Sequence, residues 1–340
     1  MPPTCSWPGL PAAVAATAAV ASAACVVEMD TERPASPIGA VTTDCVVPLP
    51  DRGAPAALEY PDGTLWIFDD GGAAFVASID DACAGVVAAW PDPVLALTAE
   101  EEADDQTRTD GRAWALRPRG GVVAAGVGYL YYDRVLTGPG VFDVEVIDTG
   151  VCTIADRPGP CARAPAPLWP GGARSWGDAG FVEDGVAYVY GCDHLAAFTD
   201  LCALARVPVA DVTDAAAYAY LGWDDAWRPR GDDTVTLFEA PGAISASRHA
   251  PSGRVMVTVA DLWDSRLELR TAAGPAGGFD DPLVLFDVAS PPDWFFAGGR
   301  EHAGLREPGA LAFSYATTAA PAPGLHVVRF QVADEGLQPW

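Results

Sequence analysis

The 340-residue chain contains no lysine and no asparagine. The first absence excludes catalysis through a lysine Schiff base, and the second excludes an asparagine-linked glycan. Positive charge is scarce altogether: 20 basic residues, all arginine, face 46 acidic ones, and the formal net charge is −26. Phosphates and anionic head groups would be repelled, so nucleic acid and anionic membrane surfaces are excluded as partners. Also missing are a Gly-x-Ser-x-Gly elbow, a His-Glu-x-x-His pair, a phosphate-cradling loop ending in Lys, and a dinucleotide fingerprint leading into a helix. Gly120 to Gly126 imitates a nucleotide loop only weakly, because it sits inside a β repeat.

What is present points to β structure. Half the residues are hydrophobic, too many for disorder, and 35 Gly with 31 Pro imply many turns and short elements. The stretch Leu10 to Cys25 (LPAAVAATAAVASAAC) is apolar, small and too short to span a bilayer comfortably. It reads as a signal-peptide core over residues 1–25, although no basic residue precedes it; an Ala-rich helix is the alternative. No other long apolar run occurs, so no transmembrane helix is expected. Residues 26–39 read as a flexible tether and 335–340 as a C-terminal tail.

Eight cysteines fit an exported protein. Cys5 would leave with the signal, and six others fall into the pairs Cys45 with Cys83, Cys152 with Cys161, and Cys192 with Cys202, expected as disulfides in an oxidising compartment. Cys-x-x-Cys spacing is absent, which argues against zinc. Cys25 is left over. It follows Ala23-Ala24 and resembles the lipidation box of bacterial lipoproteins, with Ser22 where that box prefers an aliphatic residue. The chain is therefore expected outside the cytoplasm: extracellular, periplasmic or lipid-anchored to a bacterial envelope.

A hairpin recurs five times between residues 40 and 334. A turn leads into an apolar, aromatic-rich strand at Gly63 (TLWIF), Gly128 (YLYYD), Gly185 (VAYVYG), Gly253 (RVMVTV) and Gly309 (ALAFSY). Short strands precede these turns (AALEY, GVVAAGV, AGFVEDG, AISASRHA, HAGLRE). Third strands follow (AAFVASI, FDVEVIDTGV, ALARVPV, RLELRTA, LHVVRFQV), with fourth strands at VVAAW, YAYLG and PLVLFDV. Units of three or four antiparallel strands at this period match propeller blades, so the fold class is all-β: a five-bladed β-propeller over residues 40–334. A strand over Ile38 to Pro48 is expected beside the last blade, closing the ring. A β-sandwich is the alternative, but it gives no reason for five like-phased hairpins. The acidic run Glu100 to Gln106 is read as a solvated loop between blades one and two; it lacks the alternating ligand spacing of a calcium loop.

The run LWIFDDGG, the stretch WGDAGFVEDGVAYVYGC with LARVPVADVTDAAAYAYLGWDDAW, the segment from SASRHAPSG to FDDPLVLF, and GREHAGL with LAFSYATT resemble a bacterial family. Its members are domain-of-unknown-function five-bladed propellers related to arabinanase- and levansucrase-type glycoside hydrolases. The chain departs from it at Asp70, where a small residue is commoner, and at Phe279, where Trp is usual. The resemblance implies a carbohydrate ligand and acids on separate blades.

Propellers bind ligands at an axial mouth built from inner-strand ends. The polar residues expected there are Asp69 and Asp70 from blade one; Arg112 and Trp114 from blade two; Asp178, after Trp176, from blade three; Ser245, Ser247 and Arg248 from blade four; and Arg300, Glu301 and His302 from blade five. Carboxylates suit sugar hydroxyls, arginine donates in a fixed fork, and indoles stack on sugar rings. Glycoside hydrolysis needs two carboxyl groups. By analogy Asp69 or Asp70 is the base or nucleophile, Asp178 tunes its partner and Glu301 is the proton donor, with Glu239 in reserve. Arg112, Trp114, Trp176, Arg248 and His302 are the substrate-binding candidates. The bland readings are a turn at Asp69 to Gly72 and an inter-blade structural pair at Glu301 and His302. Two functions follow: a hydrolase-like enzyme, or a non-catalytic carbohydrate-binding propeller on a bacterial envelope. No cofactor or metal is expected, axial calcium is not indicated, and the protein is expected to be monomeric.

Overall fold

Turn chemistry sets the hairpins. At Ala125-Gly126 (φ 49° and 82°) and Asp184-Gly185 (φ 50° and 75°) both central residues are left-handed, as two-residue turns matched to strand twist require. Pro308-Gly309 closes a third hairpin between Glu307 and Ala310, with Gly309 at φ 76°. In the second repeat the turn thus falls at Ala125-Gly126 rather than at Gly128, which lies within the second strand, opposite Val123.

The computed structural model describes residues 36–333 except 37, 48–54, 86–87, 91, 141–142, 158, 173, 197–198, 230, 232, 289–295 and 318–323. The signal core, Cys25, most of the tether and the C-terminal tail lie outside the described residues.

Five antiparallel sheets form the five blades of a β-propeller. Blade one holds Ala56–Tyr60, Gly63–Ile67, Ala73–Val76 and Ala88–Ala89. Blade two holds Ala113–Ala124, Val127–Thr137 and Val144–Ile154, edged by Trp169–Pro170. Blade three holds Ser175–Glu183, Val186–Ala196, Thr199–Pro208 and Ala219–Leu221. Blade four holds Ile244–His249, Arg254–Asp261, Arg266–Ala272 and Leu283–Asp287. Blade five holds Phe296–Glu301, Ala310–Thr317 and Gly324–Val332. Its edge is Gly39–Val47, paired antiparallel with Gly324–Val332.

The first strand of every blade lines one axial cavity: Ala57 and Glu59, Gly120 and Gly121, Ala179 and Gly180, Ser245 and Ala246, Arg300 and Glu301. Small residues let the five backbones converge. A Cβ on Gly120 would sit 2.6 Å from the Asp178 carbonyl of the next blade. Second strands are walled in by blades on both faces, which is why their sequences are continuous apolar runs: every residue of Gly63–Ile67 and Ala310–Thr317 is buried.

The core is divided among the gaps between blades. Leu58 and Leu65 meet Leu130 and Tyr132; Tyr131 and Val151 meet Val189 and Ala203; Tyr190 and Leu204 meet Val255 and Val257. Met256 and Leu269 meet Phe313 and Val328, and Ala312 and Val327 meet Trp66 and Val76. The last of these packs blade five onto blade one. Three disulfides are present: Cys45–Cys83, Cys152–Cys161 and Cys192–Cys202. Cys45–Cys83 ties the edge strand of blade five to the helix Ile79–Cys83 that follows the third strand of blade one.

Two elements differ from the sequence reading. HAGLRE is not the inner strand of blade five. That strand is Phe296–Glu301, and Ala303–Leu305 forms a 3₁₀ turn, because the fold needs a wide connection between His302 and the Pro308 turn. The acidic run is not a loop but the helix Ala99–Thr107. Thr98 and Glu101 form a reciprocal capping box, and Glu101 turns inward onto Arg134 and Arg163. No helix among the described residues is long and apolar enough to cross a membrane.

Candidate functional site

All five inner strands run the same way, so their starts share one end of the axis. Three carry a bulge near that start, between Pro118 and Gly121, Trp176 and Ala179, and Ala297 and Arg300. Bulges re-aim side chains out of the alternation. Here they bring Arg119, Asp178 and Arg300 to the axis. Gly177 and Gly298 supply the required backbone at φ 93° and 65°.

Arg300 spans the axis. Its Nη1 donates to the carbonyls of Asp178 (3.0 Å) and Ile244 (2.9 Å), and its Nη2 donates to that of Arg119 (2.8 Å). One guanidinium from blade five thus fastens blades two, three and four. Burial pushes its pKa down to about 10, so it stays cationic at neutral pH. Arg119 pairs with Asp178 and, at 2.6 Å, with Asp133, which also accepts from Thr149 Oγ1. The Cys192 amide donates to Asp178 at 3.0 Å. Burial lifts the Asp178 carboxyl above its ordinary value; Arg119, this amide and Arg300 pull it back, and Asp133 adds to the rise. The cavity beneath is about 30 Å³, room for water but not for a sugar ring. A ligand of sugar size must sit above it, in the mouth.

Asp69 lies in the turn between the second and third strands of blade one, at the end of the blade where the inner strand starts. Its carboxylate keeps contact with solvent, yet the surrounding walls desolvate it and raise its pKa. Arg117 and Arg300 oppose that rise and Asp70 adds to it, which places Asp69 in the field of the arginines from blades two and five. Among the described residues Asp69 makes no hydrogen bond or ion pair. Asp70 has a turn role: its Oδ1 accepts from Gly72 N at 2.8 Å.

The other candidates lie elsewhere. Glu301 is buried in the channel wall, where Arg306 Nε meets Oε1 at 2.5 Å and Ser247 Oγ donates to Oε2 at 3.0 Å. His302 is buried between Glu59 and Ser314. Arg112, just before the inner strand of blade two, pairs with Glu145 on the third strand of that blade. Trp114 bonds Asp104 through Nε1 at 2.7 Å, and Arg134 covers its ring. Trp176 is 3% exposed against Trp169 and Tyr220, so its faces are already covered. Arg248 pairs with Glu183 near the opposite end of the axis, and Glu239 is exposed on the strand Phe238–Ala240 beside the third strand of blade three. Asp178 thus belongs to the arginine network at the axis and Glu301 to the cavity wall, whereas Trp114, Trp176, Arg248 and His302 are engaged by partners of their own. Arg117, Arg119 and Asp133 were not singled out from the sequence; the run Arg117-Pro-Arg119-Gly-Gly, with glycines where backbones must meet, is the signal that carries two of them. Among the described residues no cluster of His, Cys, Asp or Glu could hold a metal ion.

The fold is that of glycoside hydrolase propellers. The chain is similar to a GH43_1 enzyme from Xanthomonas citri, at TM-score 0.51 and 15% identity, over 88% of this chain and 93% of that one. A structure of the Xanthomonas citri enzyme with xylotriose gives TM-score 0.50 and 14% identity, over 90% and 97%. A β-xylosidase, RS223, gives TM-score 0.53 and 13% identity, over 85% and 94%. At such identities the likeness establishes the fold and leaves the reaction open. No protein-family model matches the sequence, and no curated protein matches it.

Proposed function

We propose that the chain is an exported carbohydrate-binding propeller that takes its ligand at the Asp69 mouth and does not cleave it. The observation that carries this reading is the state of the acids. Hydrolysis needs one carboxyl group free to give a proton and a second to act as base or nucleophile. Asp178 is held by Arg119 and Glu301 by Arg306, leaving Asp69 as the mouth acid without an ion pair. A single free carboxylate among arginines can accept sugar hydroxyls but supplies only half of a catalytic pair. Export is supported by three disulfides, which persist in oxidising compartments.

One specific observation favours the hydrolase reading as the rival: the Asp69 carboxyl is raised, as suits a group that handles protons. A panel of soluble xylan, arabinan and bacterial glycan oligosaccharides separates the two. Binding by calorimetry without release of reducing ends supports the binding reading. Reducing-end release abolished by Asp69→Asn overturns it in favour of the enzyme, and binding that survives Asp69→Asn unchanged removes the site.

A further inference from the structure

Among the described residues two large apolar side chains are mostly in solvent: Trp223 is 70% exposed and Trp263 is 61% exposed. Both sit in turns. Trp223 lies between the fourth strand of blade three and an added edge strand, Trp227–Arg228. Trp263 lies between the second and third strands of blade four. The strands leading into these turns both run toward the end of the axis where the inner strands start, the end that also carries the Asp69 turn.

The two turns are built alike. Each tryptophan is followed by an aspartate paired with an arginine: Asp224 with Arg228 at 2.9 Å, and Asp264 with Arg266 at 3.0 Å. The residue after that is left-handed without being glycine, Asp225 at φ 59° and Ser265 at φ 50°. Among the described residues only Ala125 and Asp184 share that backbone, and their two-residue hairpins account for it. Aspartate side chains brace both turns: Asp224 Oδ1 accepts from Ala226 N at 3.3 Å, and Asp261 Oδ1 accepts from Trp263 N at 3.0 Å. Strained, braced turns therefore present the indoles already ordered, so binding there costs little conformational freedom.

The surroundings select the occupant. A stable protein partner needs a continuous patch of about 1,000 Å² or more with few charges at its centre. Each indole instead stands next to an exposed carboxylate, Asp224 or Asp264, both 58% exposed. A sugar ring matches that pairing: its face offers C–H groups to the indole, and its edge offers hydroxyls to a carboxylate. The same acids repel an anionic polymer.

We propose that Trp223 and Trp263 are stacking platforms for a neutral polysaccharide, separate from the Asp69 site. The class of ligand rests on the carbohydrate-binding reading above, which the platforms extend to a polymer.

Affinity electrophoresis of the full chain through gels holding neutral arabinan or xylan reads polymer retention, and calorimetry with short oligosaccharides reads the Asp69 site. Trp223→Ala combined with Trp263→Ala is expected to weaken polymer affinity roughly tenfold, the scale of losing aromatic anchors, with oligosaccharide affinity unchanged. Phe at both positions should restore most of the loss. Unchanged retention in the double Ala variant, or a wild type that binds oligosaccharides but no polymer, overturns the platforms and leaves the binding reading standing. Retention that the double Ala variant loses, in a chain that binds no short oligosaccharide, supports the platforms and overturns the Asp69 site. A wild type that binds neither overturns both. A concentration-dependent dimer that Trp223→Ala dissolves, with no polymer retained, assigns the indole to a protein contact and overturns the platforms.

Discussion

Glu59 of blade one and His302 of blade five meet at 3.0 Å, Oε1 to Nδ1, across the seam where the ring returns on itself. A carboxylate only accepts, so Nδ1 carries the proton; in the neutral ring Nε2 then accepts from Ser314 Oγ at 2.7 Å. The order Ser314, His302, Glu59 copies a nucleophilic triad, but Ser314 is 0% exposed and no substrate reaches it. The chain of hydrogen bonds is a structural clasp.

Truncating that clasp should be costly. Glu59 also accepts from Thr64 Oγ1 at 2.6 Å and Gly304 N at 2.8 Å. Glu59→Ala strands three donors, and a loss of roughly 2–4 kcal/mol is expected in chemical denaturation, with the native circular dichroism spectrum retained. A loss below about 0.5 kcal/mol contradicts the clasp.

The disulfides should rank by the loop each closes. Cys45–Cys83 spans a separation of 38 residues, against 9 for Cys152–Cys161. Loop-closure entropy gives about 4 kcal/mol for the first and about 2.5 kcal/mol for the second. Paired Cys→Ser variants, unfolded in denaturant, should keep that order. The reverse order is evidence against a seam held by Cys45–Cys83.

Glu101 predicts an acid limb. Burial alone would raise its pKa, but Arg163, the Thr98 amide and Arg134 outweigh it and lower the value to about 2. A folded pKa below the unfolded one contributes stability that is present above about pH 4.5 and lost as the pH falls toward 2. After allowance for screening, the contribution is about 2 kcal/mol. Glu101→Gln should be less stable by that amount at pH 7 and should converge on wild type near pH 2. A constant difference across this range contradicts the assignment.

Asp69 has the opposite sign. Its folded pKa is raised, so its stabilising contribution is present below the unfolded value and is lost as pH rises through the folded one. At neutral pH the charged carboxylate is a burden on the fold, one that the proposed ligand binding would justify. Asp69→Asn is expected to raise the melting temperature at pH 7 while weakening glycan binding. A lower melting temperature indicates instead that Asp69 is a structural turn residue.

The architecture was legible because its cause is local and repeated. Second strands such as TLWIF and ALAFSY are continuous apolar runs since blades cover both faces, and turn residues such as Asp184-Gly185 announce each hairpin. Asp178 drew notice for a similar local reason, following Gly177 near a strand start. The rest of the site was hidden by tertiary pairing. Nothing near Glu301 in sequence announces Ser247, and Arg306 closes on it only because the chain turns through Ala303–Leu305. Trp114 and Trp176 looked like sugar platforms, but which ring is covered depends on Arg134, Trp169 and Tyr220, each distant in the fold's own terms. The helix at Ala99–Thr107 was masked by its charge, although the Thr98 and Glu101 spacing of a capping box was there to read.

The central claim is that a sugar occupies the mouth and leaves it whole. A crystal structure of the chain grown with a xylo-oligosaccharide tests it most directly. The account predicts an unbroken oligosaccharide above Arg300, with ring hydroxyls on Asp69. Density elsewhere on the surface, or a cleaved product in the mouth, contradicts it.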